Sequence, residues 1–388
     1  MAMSSRERLI SALAHQNPDH TPCAFMLHGA LHKSSRNYLD FIDRQLAMGL
    51  DAFVELPPRA PHTVNDHYNL HGLPVSYHPD VVICEFKQPG LNEPLLVKEY
   101  HTPAGMLVCE VRQTDDWRWG DHVPFLDDYI IPRATRFPLG SEEDLAALQY
   151  LLQPPTDAEI NAAIQESQPV LTKARQEDLL VAGGWGVGAD MVGWVYGLNP
   201  MITDAYDRPD FLKALLGMIA DWNRKRMSIL LEMGLDLYIK RAWYENVDFF
   251  SPKKWREFIY PILKADADLA HQAGAKFGYI ITARAMPLLE MIAEAGVDVL
   301  IGVDPHTFEL AKAKAMLAGR VCLWGGVNGH LAVEQGTPEE VQAEVRAAME
   351  QLAPGGGFIL SPVDNVREDT PTANENVRAL IRAWQEFR

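Results

Sequence analysis

Apolar and polar positions along the chain fall into a repeating alternation of short continuous apolar runs with longer stretches of helical period. The pattern is plainest after Arg320. There Val321 to Trp324 ends in Gly325 and Gly326, and Thr337, Pro338 and Glu340 open a helix with a capping box and a proline at its first position. The unit then repeats. Phe358 to Leu360 runs into Ser361, Pro362, Val363, Asp364 and Asn365, and Thr370-Pro371 opens a helix whose apolar face is Val377, Leu380, Ile381 and Trp384. Upstream, Val297 to Val303 precedes the helical pattern of Leu310, Ala313, Met316 and Leu317, and Ala275 to Ile281 precedes Leu288 to Ala295. Leu235 to Ile239 precedes a helix begun by Ser251-Pro252, and Leu179 to Trp185 precedes a helix from Asp207 to Met233 that Gly234 can end. Pro22 to Met26 and Asp51 to Glu55 flank a helix with Tyr38, Leu39, Ile42 and Leu46 inward.

Continuous apolar runs are what parallel strands buried on both faces require. Eight of them alternating with helices predict an α/β fold, a closed (β/α)8 TIM barrel, with a doubly wound open sheet as the alternative. The alternation breaks from about Pro57 to Gln176, after the second strand. The first half of this insertion is β-rich, with Val81 to Phe86, Leu95 to Tyr100 and Met106 to Val111 as runs and a turn at Thr102-Pro103-Ala104-Gly105. Its second half is helical, opened by Ser141 with Asp144 and Thr156 with Glu159. The whole chain, 1–388, is expected to be one barrel whose α+β insertion, 57–176, caps the mouth. Trp117, Trp119, His122, Phe125 and Tyr129 would either reach a ligand or pack the insertion in place.

Charge narrows the partners. With 52 acidic against 35 basic residues the net charge is -17, and no Lys/Arg block matches a run of phosphates, so nucleic acid and anionic membrane are excluded as expected partners. No apolar segment approaches the roughly 20 residues of a spanning helix, and the N-terminus reads as a charged amphipathic helix with a Ser4/Glu7 capping box rather than a signal peptide. Four scattered cysteines without a CxxC pair fit a reducing cytoplasm.

In a barrel the ends of the strands and the loops after them converge on one mouth, so the functional positions can be read off. Glu245, Asp304 and His28 are the candidate catalytic groups. Trp185, Trp243, Tyr244, Glu55, Asn328, His306 and Asp364 are the candidate substrate-binding groups. Several carboxylates around one pocket shift each other's ionisation and suit acid or base work, the alternative being that they cap helices or pair with Arg241 and Arg284. No HxH or HExxH spacing marks a metal site. The run Ala182 to Gly188 lacks the third glycine of a dinucleotide fingerprint, since Met191 stands there, and Trp185, Trp194 and Tyr196 offer a wall for a planar ring or a corrin.

The segments AGGWGVGADMVGW, GLDLYIKRAWYENVDFFSPKKWREFIYPILK, GVDVLIGVDPH, VCLWGGVNGHLAVEQGTPEEV and GGGFILSPVDNVREDTPTANENVRAL resemble the uroporphyrinogen decarboxylase superfamily, which includes the decarboxylase and the corrinoid-linked methyltransferases. The resemblance implies a (β/α)8 barrel with its site at the C-terminal mouth. True decarboxylases look like MRQAGR after the first strand, where arginines grip acidic side chains; here Met26 to Leu31 reads MLHGAL. Zinc-dependent thiol methyltransferases resemble HxCG, where this chain has Ile280-Ile281-Thr282-Ala283, so a zinc held by other ligands stays open. By resemblance, the expected activity is methyl transfer from a small methoxylated or methylated donor to the corrinoid of a partner protein, with no covalently bound cofactor. A decarboxylase or lyase on a less acidic substrate and a non-catalytic ligand-binding barrel are the alternatives. A homodimer is compatible with all three.

Overall fold

The computed structural model describes residues 3–58 and 72–387, and among them eleven strands. In chain order they are β1 (Phe53–Leu56), β2 (Val82–Gln88), β3 (Leu95–Thr102), β4 (Gly105–Arg112), β5 (Ala134–Arg136), β6 (Leu180–Gly186), β7 (Leu237–Arg241), β8 (Lys276–Ile280), β9 (Val299–Val303), β10 (Cys322–Asn328) and β11 (Phe358–Val363). They form a seven-stranded sheet in the order β1-β6-β7-β8-β9-β10-β11 and a four-stranded sheet in the order β2-β3-β4-β5. The chain divides into two compact units. One comprises 1–58, 166–184 and 231–388; the other comprises 59–165 and 185–230.

The first unit is an α/β barrel. Its strands pair in parallel, for example Leu237 with Lys276, Gly278 with Val299 and Leu323 with Phe358, and residues of β1, β9, β10 and β11 are buried throughout. The eighth stave is residues 22–27, of which the hydrophobic pattern assigns Pro22 to Met26 to a strand. The structure makes them an extended segment with bridges at Cys23 to Leu360 and Leu27 to Asn365, because Pro22 has no N–H to continue a ladder. The segment nonetheless closes the ring. Pro22 C=O accepts from Leu360 N–H at 2.9 Å, Ala24 N–H donates to Leu360 C=O at 3.0 Å, and Cys23 C=O accepts from Asp51 N–H at 2.8 Å just before β1.

Asp51 fixes this closure from its side chain as well, accepting from Cys23 N–H at 3.0 Å and pairing with the buried Arg8. Arg8 lies on the first helix, Ser5–Leu13, which has the expected Ser4/Glu7 capping box. Inside the ring Trp324 meets Phe53 with ring centroids 5.5 Å apart and donates its indole N–H to Ala24 C=O at 2.8 Å. Outside it, the helices Pro338–Leu352 and Pro371–Gln385 start where Thr337 and Thr370 cap them. The helical stretch expected from Asp207 to Met233 is the helix Pro209–Glu232, and a separate helix, Leu198–Asp207, precedes it; the break falls at Arg208 because a residue before proline is driven out of the helical region.

The second unit holds the antiparallel sheet. β3 and β4 form a hairpin in register Tyr100 with Leu107, and at its turn Thr102 Oγ1 donates to Gly105 C=O at 2.8 Å and accepts from Ala104 N–H at 3.1 Å. One face carries Leu96, Cys109 and Val111 into a core with Trp117, Trp119, Val123 and Ile130. β5, a three-residue strand, had no apolar alternation to announce it.

Candidate active site at the barrel rim

Parallel strands in a closed barrel present all their C-terminal ends to one rim. Around that rim the first unit sets Glu55 on β1, Arg241 at the end of β7, Asp304 after β9, Asn328 as the last residue of β10, Asp364 after β11 and His28 after the closing segment. Glu55 is buried. Side chains alternate along a strand, so it shares with Phe53 the face that meets Trp324 inside the ring.

Asp304 and Asn328 meet directly. Asn328 Nδ2 donates to Asp304 Oδ2 at 2.9 Å, and the backbone N–H of His306 donates to Asp304 Oδ1 at 2.9 Å, so both carboxylate oxygens are held. The imidazole of His306 turns away from the pair, its Nε2 lying 3.0 Å from Glu344 on the helix Pro338–Leu352, while Asn328 N–H donates to the other oxygen of Glu344 at 2.7 Å. Glu344 was not legible as part of this cluster. Its only signal is its place between Val341 and Val345, the inward positions of that helix.

His28 caps the short helix Gly29–Ser34 from a buried position, 5% exposed, with its ring 5.0 Å from Phe25. Its Nδ1 is buried without a hydrogen-bond partner. Burial, helped by the charge of Arg44, pushes this imidazole down to about 4, so it is neutral at pH 7. Beside it, Gly29 N–H donates to Asn365 Oδ1 at 2.8 Å, which ties the loop after β11 to the loop after the closing segment. Asp364 precedes that contact in a left-handed conformation, φ 68°.

Glu245 is placed differently. It accepts from Tyr279 OH at 2.5 Å, and both are fully buried. Tyr279 is registered with Lys240, whose Nζ bonds Asp266 of the outer helix Tyr260–Gln272 at 2.7 Å. Paired residues share a sheet face, so the Glu245–Tyr279 contact starts from the helix-facing side of β8. Tyr279, one apolar-strand residue among others in sequence, gave no warning of this role. Trp243 is half-buried with the Arg241 guanidinium 3.9 Å from its ring centroid, and its indole N–H is buried without a partner. Tyr244 packs edge-on to Phe249 at 5.4 Å.

Of the other rim cations, Arg284 pairs with Asp248 at 2.5 Å and Arg367 with Glu334 at 3.4 Å. Burial works to raise the pKa of Glu334, but His330 and Arg367 hold it below the usual carboxylate range. These groups flank a π-helical turn, Gly329–Glu334, that helical periodicity did not predict. The buried Asn376 holds it by donating to the carbonyls of Val333 at 3.0 Å and Gly336 at 2.7 Å.

In the second unit Trp185 stands where the chain leaves the first unit. Its φ of 59° is strained for so bulky a residue. Trp117, Trp119 and Tyr129 belong to that unit's core, and Trp194 donates to Asp128 at 2.9 Å, the packing alternative for these rings. Among the described residues no three His, Cys, Asp or Glu side chains form a group that could hold a metal ion, and no helix is long and apolar enough to cross a membrane.

The fold and the polar rim define a (β/α)8 barrel with a candidate site at the C-terminal ends of its strands. The family model described as uroporphyrinogen decarboxylase (URO-D) matches residues 120–387, well over half the chain, and the chain belongs to that family. It is 26% identical over 241 residues to a uroporphyrinogen decarboxylase of Azoarcus sp., the match covering 61% of this chain and 63% of that protein. It is 25% identical over 187 residues to one of Pseudoalteromonas translucida, covering 47% and 50%. The matches thus span between half and two thirds of these relatives. Among solved structures, a methyltransferase from Methanosarcina mazei aligns over 99% of both chains with a TM-score of 0.62 at 17% identity, a likeness of fold.

Proposed function

We propose that this chain is a methyltransferase that takes a methyl group from a small, largely uncharged methoxylated or methylated donor, the acceptor being the corrinoid of a partner protein. The observation that carries the reading is His28. Where decarboxylases of this family resemble MRQAGR, with arginines for a polycarboxylate, this rim has a buried, neutral imidazole with an unpartnered Nδ1. Arg284 and Arg367 are already paired with carboxylates, and the chain is strongly acidic. A tetrapyrrole with many carboxylates would be repelled from such a rim, whereas a neutral ether would not.

The corrinoid would supply the nucleophile that receives the methyl group. The chain's own residues do the rest. As the bond between methyl carbon and donor oxygen breaks, its electron pair stays on that oxygen, which must take up a proton. Asp304, oriented by Asn328 and the His306 N–H, is the group proposed to take a proton from solvent and pass it to that oxygen. His28 Nδ1 hydrogen-bonds the donor, and the Trp243 and Tyr244 rings bound it with apolar surface. Glu55 and Asp364 complete the polar lining. Glu245 acts through Tyr279 as a positioning group.

Purified protein incubated under reducing conditions with free cob(I)alamin and a series of methoxylated aromatics should form methylcobalamin and the corresponding phenol in equal amounts. Asp304→Asn and His28→Ala should each lower that rate by roughly 100-fold or more. The family match favours one rival, a carboxy-lyase on a less acidic substrate. Carbon dioxide release from a carboxylated substrate without methyl transfer would replace our reading with that one.

A further inference from the structure

Glu344 belongs to the helix Pro338–Leu352, yet both of its carboxylate oxygens are bound by residues of the rim. Oε1 lies 3.0 Å from His306 Nε2 in the loop after β9, and Oε2 accepts at 2.7 Å from the N–H of Asn328, the last residue of β10. Two more bonds, each 2.9 Å, run from His306 N–H and from Asn328 Nδ2 to the two oxygens of Asp304. Together they close a ring through Asp304, Asn328, Glu344 and His306. Chemistry fixes the orientation of each member. A carboxylate oxygen only accepts, so His306 Nε2 carries the hydrogen, and in the neutral ring Nδ1 carries none. Asn328 Oδ1 accepts from Leu331 N–H at 2.6 Å, so the amide cannot be turned over and Nδ2 must face Asp304. Leu331 lies in the π turn Gly329–Glu334, and that turn therefore holds the side chain of Asn328 while Glu344 holds its backbone.

We propose that Glu344 is a positioning residue for the rim site, setting the carboxylate of Asp304 through Asn328 and His306 without itself touching the donor. The inference rests on the role given to Asp304 above. A group that must meet a reacting oxygen has to be held within a few tenths of an ångström, and a residue in the next layer does this when it binds two of the elements that carry the site. Glu344 ties the loop after β9 to the end of β10, the two elements that supply Asp304 and Asn328. Its removal frees both donors to Asp304 at once. The helix itself is anchored without Glu344, by the Thr337/Glu340 capping box and by the buried Val341 and Val345, so a change at Glu344 tests the site rather than the fold.

With free cob(I)alamin and a methoxylated aromatic, Glu344→Ala should lower kcat by roughly 10- to 100-fold with KM little changed and the melting temperature nearly that of wild type. Glu344→Gln should recover most of that rate, because its amide can accept from Asn328 N–H and donate to His306. On an Asp304→Asn background Glu344→Ala should add less than about 2-fold, since the group it positions is gone. A second readout needs no activity. In heteronuclear NMR spectra of the full-length protein the Asn328 side-chain amide, assigned by its loss in Asn328→Ala, should shift in Glu344→Ala and return in Glu344→Gln, and Glu344→Gln should also move the His306 hydrogen from Nε2 to Nδ1. Wild type that forms no methylcobalamin removes the proposed function and leaves these spectra to decide the positioning role. An Asn328 amide unmoved by Glu344→Ala overturns that role, and so does a loss in the double variant equal to the product of the single losses.

Discussion

His28 shows what one buried side chain can decide. An imidazole free in the unfolded chain titrates near 6.5, and in the folded protein near 4. Between those values the unfolded state binds more protons, so stability is fully present above pH 6.5 and is lost as pH falls toward 4. The loss should reach about 3 kcal/mol. Denaturant unfolding from pH 7 to 4 should show a steeper decline for wild type than for His28→Leu, and equal slopes would mean that His28 takes up its proton freely in the fold. The sequence placed His28 at a strand end but gave no hint of its burial, because exposure depends on Phe25 and on a loop more than 300 residues away that supplies Asn365. Asp304 and Asn328 were legible for the same reason, both standing at the ends of apolar strands. That they bond each other, while His306 turns to Glu344, is a matter of loop geometry that spacing does not encode.

Among elements, those marked by local chemistry were legible. Ser4 with Glu7 and Thr337 with Glu340 are capping boxes in the structure, and the helix Pro252–Phe258 begins at Ser251 as its Ser-Pro pair implies. The π turn Gly329–Glu334 was not, since it depends on Asn376 from a later helix. β10 ran further than its apolar core, to Asn328, because Gly325 and Gly326 belong to the strand rather than ending it. Gly325 has φ 149°, sits at an irregularity in the β9–β10 register, and a Cβ there would lie 2.7 Å from Val303 N and O. Gly325→Ala should therefore cost on the order of 3 kcal/mol or more, or prevent folding. Gly355, with φ 80° and nothing within 4 Å of an added Cβ, is the control, and its change to alanine should cost about 1 kcal/mol. Similar losses in chemical denaturation would show that backbone conformation alone, not the crowding against β9, governs the site.

For the molecule as a whole, the eightfold alternation was enough to identify the barrel, since seven of the eight runs are strands and the eighth closes the ring. What the alternation could not supply was the device that fastens the ends. Asp51 bonds both Cys23 N–H and Arg8, so Asp51→Ala leaves a buried guanidinium without one of its carboxylates and should cost about 3 kcal/mol in equilibrium unfolding. A loss under about 1 kcal/mol would mean that Asp19, the other carboxylate paired with Arg8, suffices.

Met26 finds its partner Ser361 at a separation of 335 residues along the chain. During synthesis the segment with Met26 therefore emerges from the ribosome long before the stretch that must hold it, and waits, apolar and unpaired, until β11 has been made. A nascent chain halted short of β11 should remain an open trough that proteases and chaperones recognise, and protection should arrive late and abruptly rather than grow strand by strand.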